Sequence, residues 1–167
     1  MARIVEQPSA RFKIETLQAD DPCATDLWHQ LHGPNCSGTK PPHWLIAREQ
    51  QTGRILGIAQ YFRTFPPEDA CSAVLVLPEA LHTGAGEQLF QRMAAQALKD
   101  GIRNLGTLVS HDDHATLDLL RNAGAPVRIS PMHGGLYVEI DVLTFTALPP
   151  QAQVPGRRSA PNFNYTA

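Results

Sequence analysis

The stretch "LVLPEALHTGAGEQLFQRM", from Leu75 to Met93, ends an apolar strand-like run, turns through two glycines and enters an amphipathic helix at once. Glycine costs about 1 kcal/mol relative to alanine inside a helix, so Gly84 and Gly86 weaken the start of this helix. Backbone N–H groups at the positive end of a helix bind anions. The stretch therefore predicts an anion-binding turn, although glycines that only permit close helix–sheet packing account for the same pattern.

Composition limits the classes of function. The chain has 167 residues, 43% hydrophobic and 18% charged, with a formal net charge of -2 and no sustained basic run. These values predict one globular domain and argue against a nucleic acid as the main partner. The N-terminus has no apolar signal segment, and no apolar run reaches membrane-spanning length. The three cysteines, Cys23, Cys36 and Cys71, are odd in number and widely spaced, which favours a reducing, cytoplasmic compartment.

Apolar periodicity and turn residues predict an alternation of strands and helices along the chain. In chain order they are a strand in "RFKIETL", a helix in "DDPCATDLWHQLHG", a hairpin of "HWLIARE" and "RILGIAQYFRTF" turning at Gly53, a strand in "CSAVLVL", a helix over Gly84–Lys99, a strand in "IRNLGTLVS", a helix in "DHATLDLLRNAGAP" capped by Asp113, and a last hairpin of "VRIS" and "LYVEIDV".

This order predicts an α+β domain with one mixed sheet of about six to seven strands. The strand before the Gly84 helix and the strand after it should run parallel, and a ligand cleft should open where they part. We expect an N-terminal extension over residues 1–10, the domain over residues 11–148, and an irregular proline-rich tail over residues 149–167.

Two familiar glycine-rich turns are excluded. The dinucleotide fingerprint requires a third glycine where the chain has Leu89, and the P-loop requires a lysine that does not follow either glycine. A less specific anion-binding turn remains, in which consecutive backbone N–H groups from Leu81 to Glu87 face a diphosphate.

The segment resembles motif A of the GNAT N-acyltransferase superfamily. The family's strand-ending step is Val76-Leu77-Pro78 here, and its glycine turn is Leu81-His82-Thr83-Gly84-Ala85-Gly86. Leu81 stands where the family has Gln or Arg. Asp113 replaces the usual Asn of the next segment, and Ala125 its usual Phe. Among the branches, the chain looks most like the domain of bacterial protein lysine acetyltransferases that act on acetyl-CoA synthetase.

The resemblance implies a V-shaped splay between strands 4 and 5 and an acyl-CoA donor, most simply acetyl-CoA. Its pantetheine arm would pair with the backbone of Val74 and Val76 inside the splay. The remaining positions implied in cofactor binding are Leu81, His82, Thr83, Gly84, Ala85, Gly86, Glu87 and Asp113.

The family's usual catalytic groups are missing. Cys71 stands where the lysine acetyltransferase branch has a glutamate base, and Leu120 where many members have a tyrosine acid. His111 is our first candidate base, because a histidine side chain exchanges protons near neutral pH and acidic neighbours follow it. Glu68 is the second candidate. A solvated loop residue and an ordinary charged turn are the plain alternatives for these two positions.

The expected function is therefore transfer of an acyl group from acyl-CoA to an amine of a small molecule or a protein lysine. A domain of this fold that binds acyl-CoA or a protein partner without turnover is the alternative, and a homodimer through a sheet edge is a third idea. His29, His32 and Cys36 have some likeness to a metal site but lack a second close ligand pair, so no metal is expected.

Overall fold

The computed structural model describes residues 12–18, 20–23, 25–26, 29 and 43–147. The N-terminal extension, half of the first predicted helix and the proline-rich tail lie outside the described residues; Pro22, Cys23, Thr25, Asp26 and His29 of that predicted helix are helical. Seven strands and three helices have both ends within the described part, with a short 3₁₀ turn at Pro78–Ala80. The strands are β1 (Phe12–Gln18), β2 (His43–Glu49), β3 (Ile55–Arg63), β4 (Asp69–Val76), β5 (Asn104–Val109), β6 (Val127–Met132) and β7 (Gly135–Asp141); the helices are α1 (Ala85–Lys99), α2 (His114–Asn122) and α3 (Val142–Ala147).

One mixed sheet contains all seven strands in the order β1-β2-β3-β4-β5-β7-β6. Neighbours are antiparallel except β4 and β5, which run parallel because α1 crosses over between them. The expected α+β fold with a mixed sheet of six to seven strands and flanking helices is confirmed.

The parallel pair is joined over three residue pairs only, which end at Cys71 opposite Gly106. Beyond that point β4 continues to Val76 beside β3, and β5 continues to Val109 beside β7. The two strands therefore diverge, as the family resemblance implies. We call the space between Ser72–Val76 and Thr107–Val109 the β4–β5 gap.

Helix α1 lies against the sheet through the apolar face expected from the sequence. Leu89, Phe90 and Met93 are buried, whereas Leu98 is only partly so. The helix ends at Lys99 with Asp100 as its C-cap, and Gly101 follows with a φ of 80°, the left-handed conformation that commonly closes a helix. This packing holds the start of α1 at the C-terminal end of β4.

The differences from the sequence-based expectation include two strand ends and one additional helix. β4 begins at Asp69, two residues before the predicted Cys71, and β6 runs to Met132 because the final hairpin turns on only His133 and Gly134. The six-residue α3 was not expected; its Phe145 ring lies 5.1 Å from the Phe90 ring of α1 and closes that end of the core. None of these differences moves the gap.

Candidate functional site

The edge of β4 that faces the gap carries backbone groups that have no strand partner among the described residues. The N–H of Leu77 donates to the carbonyl of Leu56 beside β3, at 2.8 Å. Because successive residues of a strand direct these groups to opposite sides, those of Val74 and Val76 point away from β3, toward the gap. The β4–β5 ladder has already ended at Cys71, so these groups remain for a ligand.

The turn between β4 and α1 divides its N–H groups into two sets. Those of Leu81, Thr83 and Ala85 bond within the turn, to Pro78 O at 3.4 Å, Ala80 O at 3.1 Å and Thr83 Oγ1 at 3.3 Å. Within the described part of the chain, the remaining four have no acceptor. They belong to His82, Gly84, Gly86 and Glu87.

The two glycines of this turn serve different purposes. Gly84 caps α1 with a φ of 81°, a conformation that side-chain-bearing residues rarely adopt, and its Cβ direction is open. A Cβ on Gly86 would instead lie 2.5 Å from Leu119 Cδ1 and 3.0 Å from Val76 Cγ2. Close packing therefore accounts for Gly86, while Gly84 shapes an open bend at the helix start.

Glu87 adds a negative charge close to this bend. Its Oε2 is buried and has no hydrogen-bond partner among the described residues. The carboxylate lies in the first turn of α1, where the helix dipole favours it, and no lysine or arginine occurs in the turn. An anion held here depends on backbone N–H groups and the dipole, not on paired cations.

The gap is narrow on the side of α1 and α2. A cavity of about 10 Å³ lies there, lined by Ser72, Val74, Phe90, Thr107, Thr116 and Leu119 among others. That volume holds roughly one water molecule. The hydrogen-bonding groups thus fit a polyamide arm, and the side chains of α1 and α2 leave little free volume on this side of the gap.

Asp113 caps α2 and is fully engaged in doing so. Its Oδ1 accepts from Thr116 N at 3.0 Å, and its Oδ2 accepts from Thr116 Oγ1 at 2.7 Å. The capping role expected from the sequence is present, whereas a role in cofactor binding stays a prediction.

The candidate bases lie at opposite ends of the gap. His111 is exposed just beyond the C-terminal end of β5, near the level of Val76 and the glycine turn. Glu68 is exposed just before β4, and its carbonyl accepts from the N–H groups of Arg103 and Asn104. Glu68 is level with Arg103, and the eight residue steps from Arg103 to His111 span about 26 Å along the sheet. The structure therefore does not bring the two candidate bases together.

The sheet face opposite α1, which we call the outer face, carries polar groups in addition to the site residues predicted from the sequence. Cys71 is exposed there, and Asp69 accepts from Asn104 Nδ2 at 2.8 Å. Tyr137 lies across Gly106, the residue opposite Cys71. Gln60 is 6% exposed, and its Oε1 has no partner within the described residues.

A signal for this face was present in the sequence. Gly106 interrupts a strand, which often marks a close approach by another group. The alternation of "LYVEIDV" places Tyr137 on the side away from the core residues Val138 and Ile140. The two observations had to be joined by the β5–β7 register, which the sequence alone does not provide.

Two remaining questions concern metals and membranes. No group of three or more His, Cys, Asp or Glu side chains that could hold a metal ion occurs among the described residues; His32 and Cys36 lie outside them. Over the same residues, the structure contains no helix with the length and apolar character needed to span a bilayer.

Comparison with known proteins places this geometry in a family. The family model described as "Acetyltransferase (GNAT) family" matches residues 9–125. No curated protein sequence matches the chain.

Among solved structures, the GNAT domain of S. lividans PAT is 24% identical, with a TM-score of 0.53, over 59% of this chain and 60% of that one. The putative acetyltransferase yncA from Salmonella typhimurium, solved with its cofactor acetyl-CoA, is 17% identical over 79% and 94%, with a TM-score of 0.59. A putative acyl-CoA N-acyltransferase from Klebsiella pneumoniae is 19% identical over 80% and 99%, with a TM-score of 0.61. At these identities the structures show a shared fold, and the chain spans less than two thirds of the PAT domain. From the family match over most of its length, the chain belongs to the acetyltransferase (GNAT) family, whose members use an acyl-CoA.

Proposed function

We propose that the protein transfers an acyl group, most simply acetyl, from acyl-CoA to the amine of a small molecule or a protein lysine. One observation carries this proposal: the unpaired edge of β4 at Val74 and Val76 leads directly to the open N–H groups at the start of α1. An extended ligand with amides at one end and a diphosphate at the other is complementary to that combination.

The binding residues divide by what they supply. Val74 and Val76 offer backbone hydrogen bonds to the arm of the acyl donor. For the diphosphate, His82, Gly84, Gly86 and Glu87 offer N–H groups, while Leu81, Thr83 and Ala85 hold the shape of the turn. The acyl donor supplies the thioester, and the residues of β4 orient it.

Catalysis on this chain requires a proton acceptor for the amine. We retain His111 and Glu68 as the proposed bases, both acting through water: His111 lies five residue steps beyond Gly106, about 16 Å along the sheet, and Glu68 precedes the paired stretch that closes the gap. His111→Ala and Glu68→Gln should each lower the rate of acyl transfer without changing affinity for acetyl-CoA. His114→Ala, at a second exposed histidine three residues on, is the matched control. Unchanged turnover in either variant would remove that residue from the mechanism.

The reaction itself is tested by following release of free thiol from acetyl-CoA with a panel of amines. The panel contains polyamines, amino acids and lysine peptides, because similarity to the PAT domain makes a protein lysine one candidate acceptor. Acceptor-dependent thiol release supports the proposal.

A second function is favoured by a specific observation. Cys71 and Leu120 occupy the positions of the family's usual catalytic groups, and Leu120 is 4% exposed within the core. The alternative is a domain that binds acyl-CoA or a partner without turnover. Calorimetric binding of acetyl-CoA together with no thiol release from any acceptor would favour this alternative.

A further inference from the structure

Cys71, Gly106 and Tyr137 come together on the outer face through the register of three strands. Cys71 of β4 is opposite Gly106 of β5, and Leu108, two residues on, is opposite Tyr137 of β7. Paired residues share a sheet face, and so do residues two apart on one strand. All of these positions therefore face away from α1, at the point where β4 and β5 begin to part.

The side chain of Tyr137 lies over Gly106 of β5, although the residue paired with Tyr137 is Leu108. A Cβ on Gly106 would lie 2.7 Å from Tyr137 Cζ and would overlap the hydroxyl oxygen. Because Gly106 is opposite Cys71 on the neighbouring strand, the hydroxyl lies one strand spacing, about 4.8 Å, from β4 at the level of Cys71. Tyr137 is 37% exposed, and within the described residues its hydroxyl has no hydrogen-bond partner. Its O–H remains available to a ligand in the gap.

The end of the acyl donor reaches the same place if the proposed function is correct, and the inference rests on that function. The diphosphate lies at the start of α1, and the arm runs back along β4 past Val76 and Val74. The next step along the strand is Ser72, whose Oγ is 3.4 Å from the carbonyl oxygen of Gly106. The reacting sulfur is thereby brought to the closed end of the gap, beside Tyr137.

We propose that the Tyr137 hydroxyl donates a hydrogen bond to the sulfur of the acyl donor as the thiolate leaves. The amine nitrogen forms a bond to the acyl carbon, and the carbon–sulfur bond breaks with its electron pair remaining on sulfur. The proton lost by the amine passes to the proposed base and from there through solvent to the thiolate, and Tyr137 stays protonated. The products are an amide and free CoA thiol.

Charges near Tyr137 agree with this role. Burial first, and then Glu139, Cys71 and Asp69, raise the pKa of Tyr137, so the hydroxyl keeps its proton at neutral pH and acts as a donor. Arg128, on β6, pairs with Glu139 at 2.8 Å.

Tyr137 approaches the gap from the opposite side of the sheet to the family's usual tyrosine. Leu120 of α2 occupies the position of that tyrosine and is buried on the side of the sheet opposite Tyr137. A hydroxyl from β7 thus reaches the closed end of the gap by a different route.

The experiment uses CoA itself as the probe and needs no acceptor. CoA labelled with carbon-13 beside its sulfur is bound to the full-length protein, and the pKa of the bound thiol is read from the labelled carbon by NMR. A hydrogen bond from Tyr137 stabilises the thiolate, so Tyr137→Phe should raise the thiol pKa by about one unit, a tenfold change in the dissociation constant. Once an acceptor is identified, the kcat of Tyr137→Phe should be at least about tenfold lower than that of the wild type, while the KM for acetyl-CoA is unchanged.

Two further variants separate this role from a structural one. Ser130→Ala removes a hydroxyl from the outer face directly opposite Tyr137 on β6 and should leave the thiol pKa unchanged. Gly106→Ala displaces the Tyr137 ring and should raise the thiol pKa as Tyr137→Phe does. CoA that binds with the same thiol pKa in wild type and Tyr137→Phe overturns this inference alone. Failure of the wild-type protein to bind CoA overturns the proposed function and the inference with it.

Discussion

The contact between Gly86 and α2 allows a quantitative test of how the site is assembled. Replacing Gly86 by alanine introduces a Cβ at 2.5 Å from Leu119 Cδ1 and 3.0 Å from Val76 Cγ2. Carbon atoms pack best at about 3.5–4.0 Å, so the nearer contact is too short by about 1 Å. Leu119 is 8% exposed, which leaves its side chain little room to rotate away.

Overpacking of this kind costs about 1–3 kcal/mol. Alanine recovers up to about 1 kcal/mol of helix propensity, so Gly86→Ala should lower the free energy of unfolding by about 1–2 kcal/mol. Leu119→Ala alone should cost about 2–3 kcal/mol, because a buried leucine side chain is removed. In the double variant the new methyl group occupies part of the vacated space. The two changes should then couple by about 1 kcal/mol, measured by urea unfolding of all four proteins.

Gly84→Ala is the matched control. Its Cβ would meet nothing within 4 Å, so only the left-handed backbone conformation opposes it. That strain costs about 1–2 kcal/mol and should add to Leu119→Ala without coupling. Additive effects of Gly86→Ala and Leu119→Ala, or a Gly86→Ala protein as stable as wild type, would refute the packing argument.

Three further predictions concern the neighbourhood of the site. Burial, and then the hydrogen bond to Asp100, raise the pKa of Tyr61. Protonated Tyr61 therefore stabilises the folded state fully below about pH 10, and this stabilisation is lost as the pH rises through 10 and above. Tyr61→Phe should reduce that loss of stability in urea unfolding measured from pH 8 upward. Asp113→Ala should lower the free energy of unfolding by about 1 kcal/mol through loss of the α2 cap, and Asp113→Asn should restore most of it; a large fall in CoA affinity for Asp113→Asn would point to a binding role instead. Acetyl-CoA should slow alkylation of the exposed Cys71 several-fold without slowing that of Cys23, as measured by mass spectrometry, and equal rates with and without acetyl-CoA would place the acyl end elsewhere.

The order of most elements could be predicted from the sequence because they have a strong apolar periodicity or end at a clear turn residue. Gly53, Gly101 and Gly124 all have positive φ at the turns where they were expected to end strands or helices. The six residues of α3 contain too few turns to show a helical period, and β-branched residues dilute the signal further.

The site was only partly predictable. The position of the glycine turn next to a parted strand follows from local sequence and chain order. Which of its N–H groups remain open depends on turn hydrogen bonds such as that from Thr83 N to Ala80 O. The approach of Leu119 to Gly86 and of Tyr137 to Gly106 joins segments about 30 residues apart in the chain, and only the register of the sheet and the packing of α2 determine it.

Binding of acetyl-CoA at the start of α1 is the claim on which the rest depends, and calorimetric titration of three glycine variants tests it most directly. Gly84→Glu and Gly84→Gln carry the same backbone strain and nearly the same volume, but only glutamate adds a negative charge where the diphosphate should lie. The glutamate carboxylate would lie about 5 Å from the diphosphate. Repulsion by two negative phosphate charges at that distance in water costs about 1.7 kcal/mol, so glutamate should weaken binding at least tenfold more than glutamine. Gly53→Glu, in the β2–β3 turn at a φ of 72°, is matched for strain and charge and should bind as wild type does. Equal affinities for the glutamate and glutamine variants at Gly84 would contradict the account.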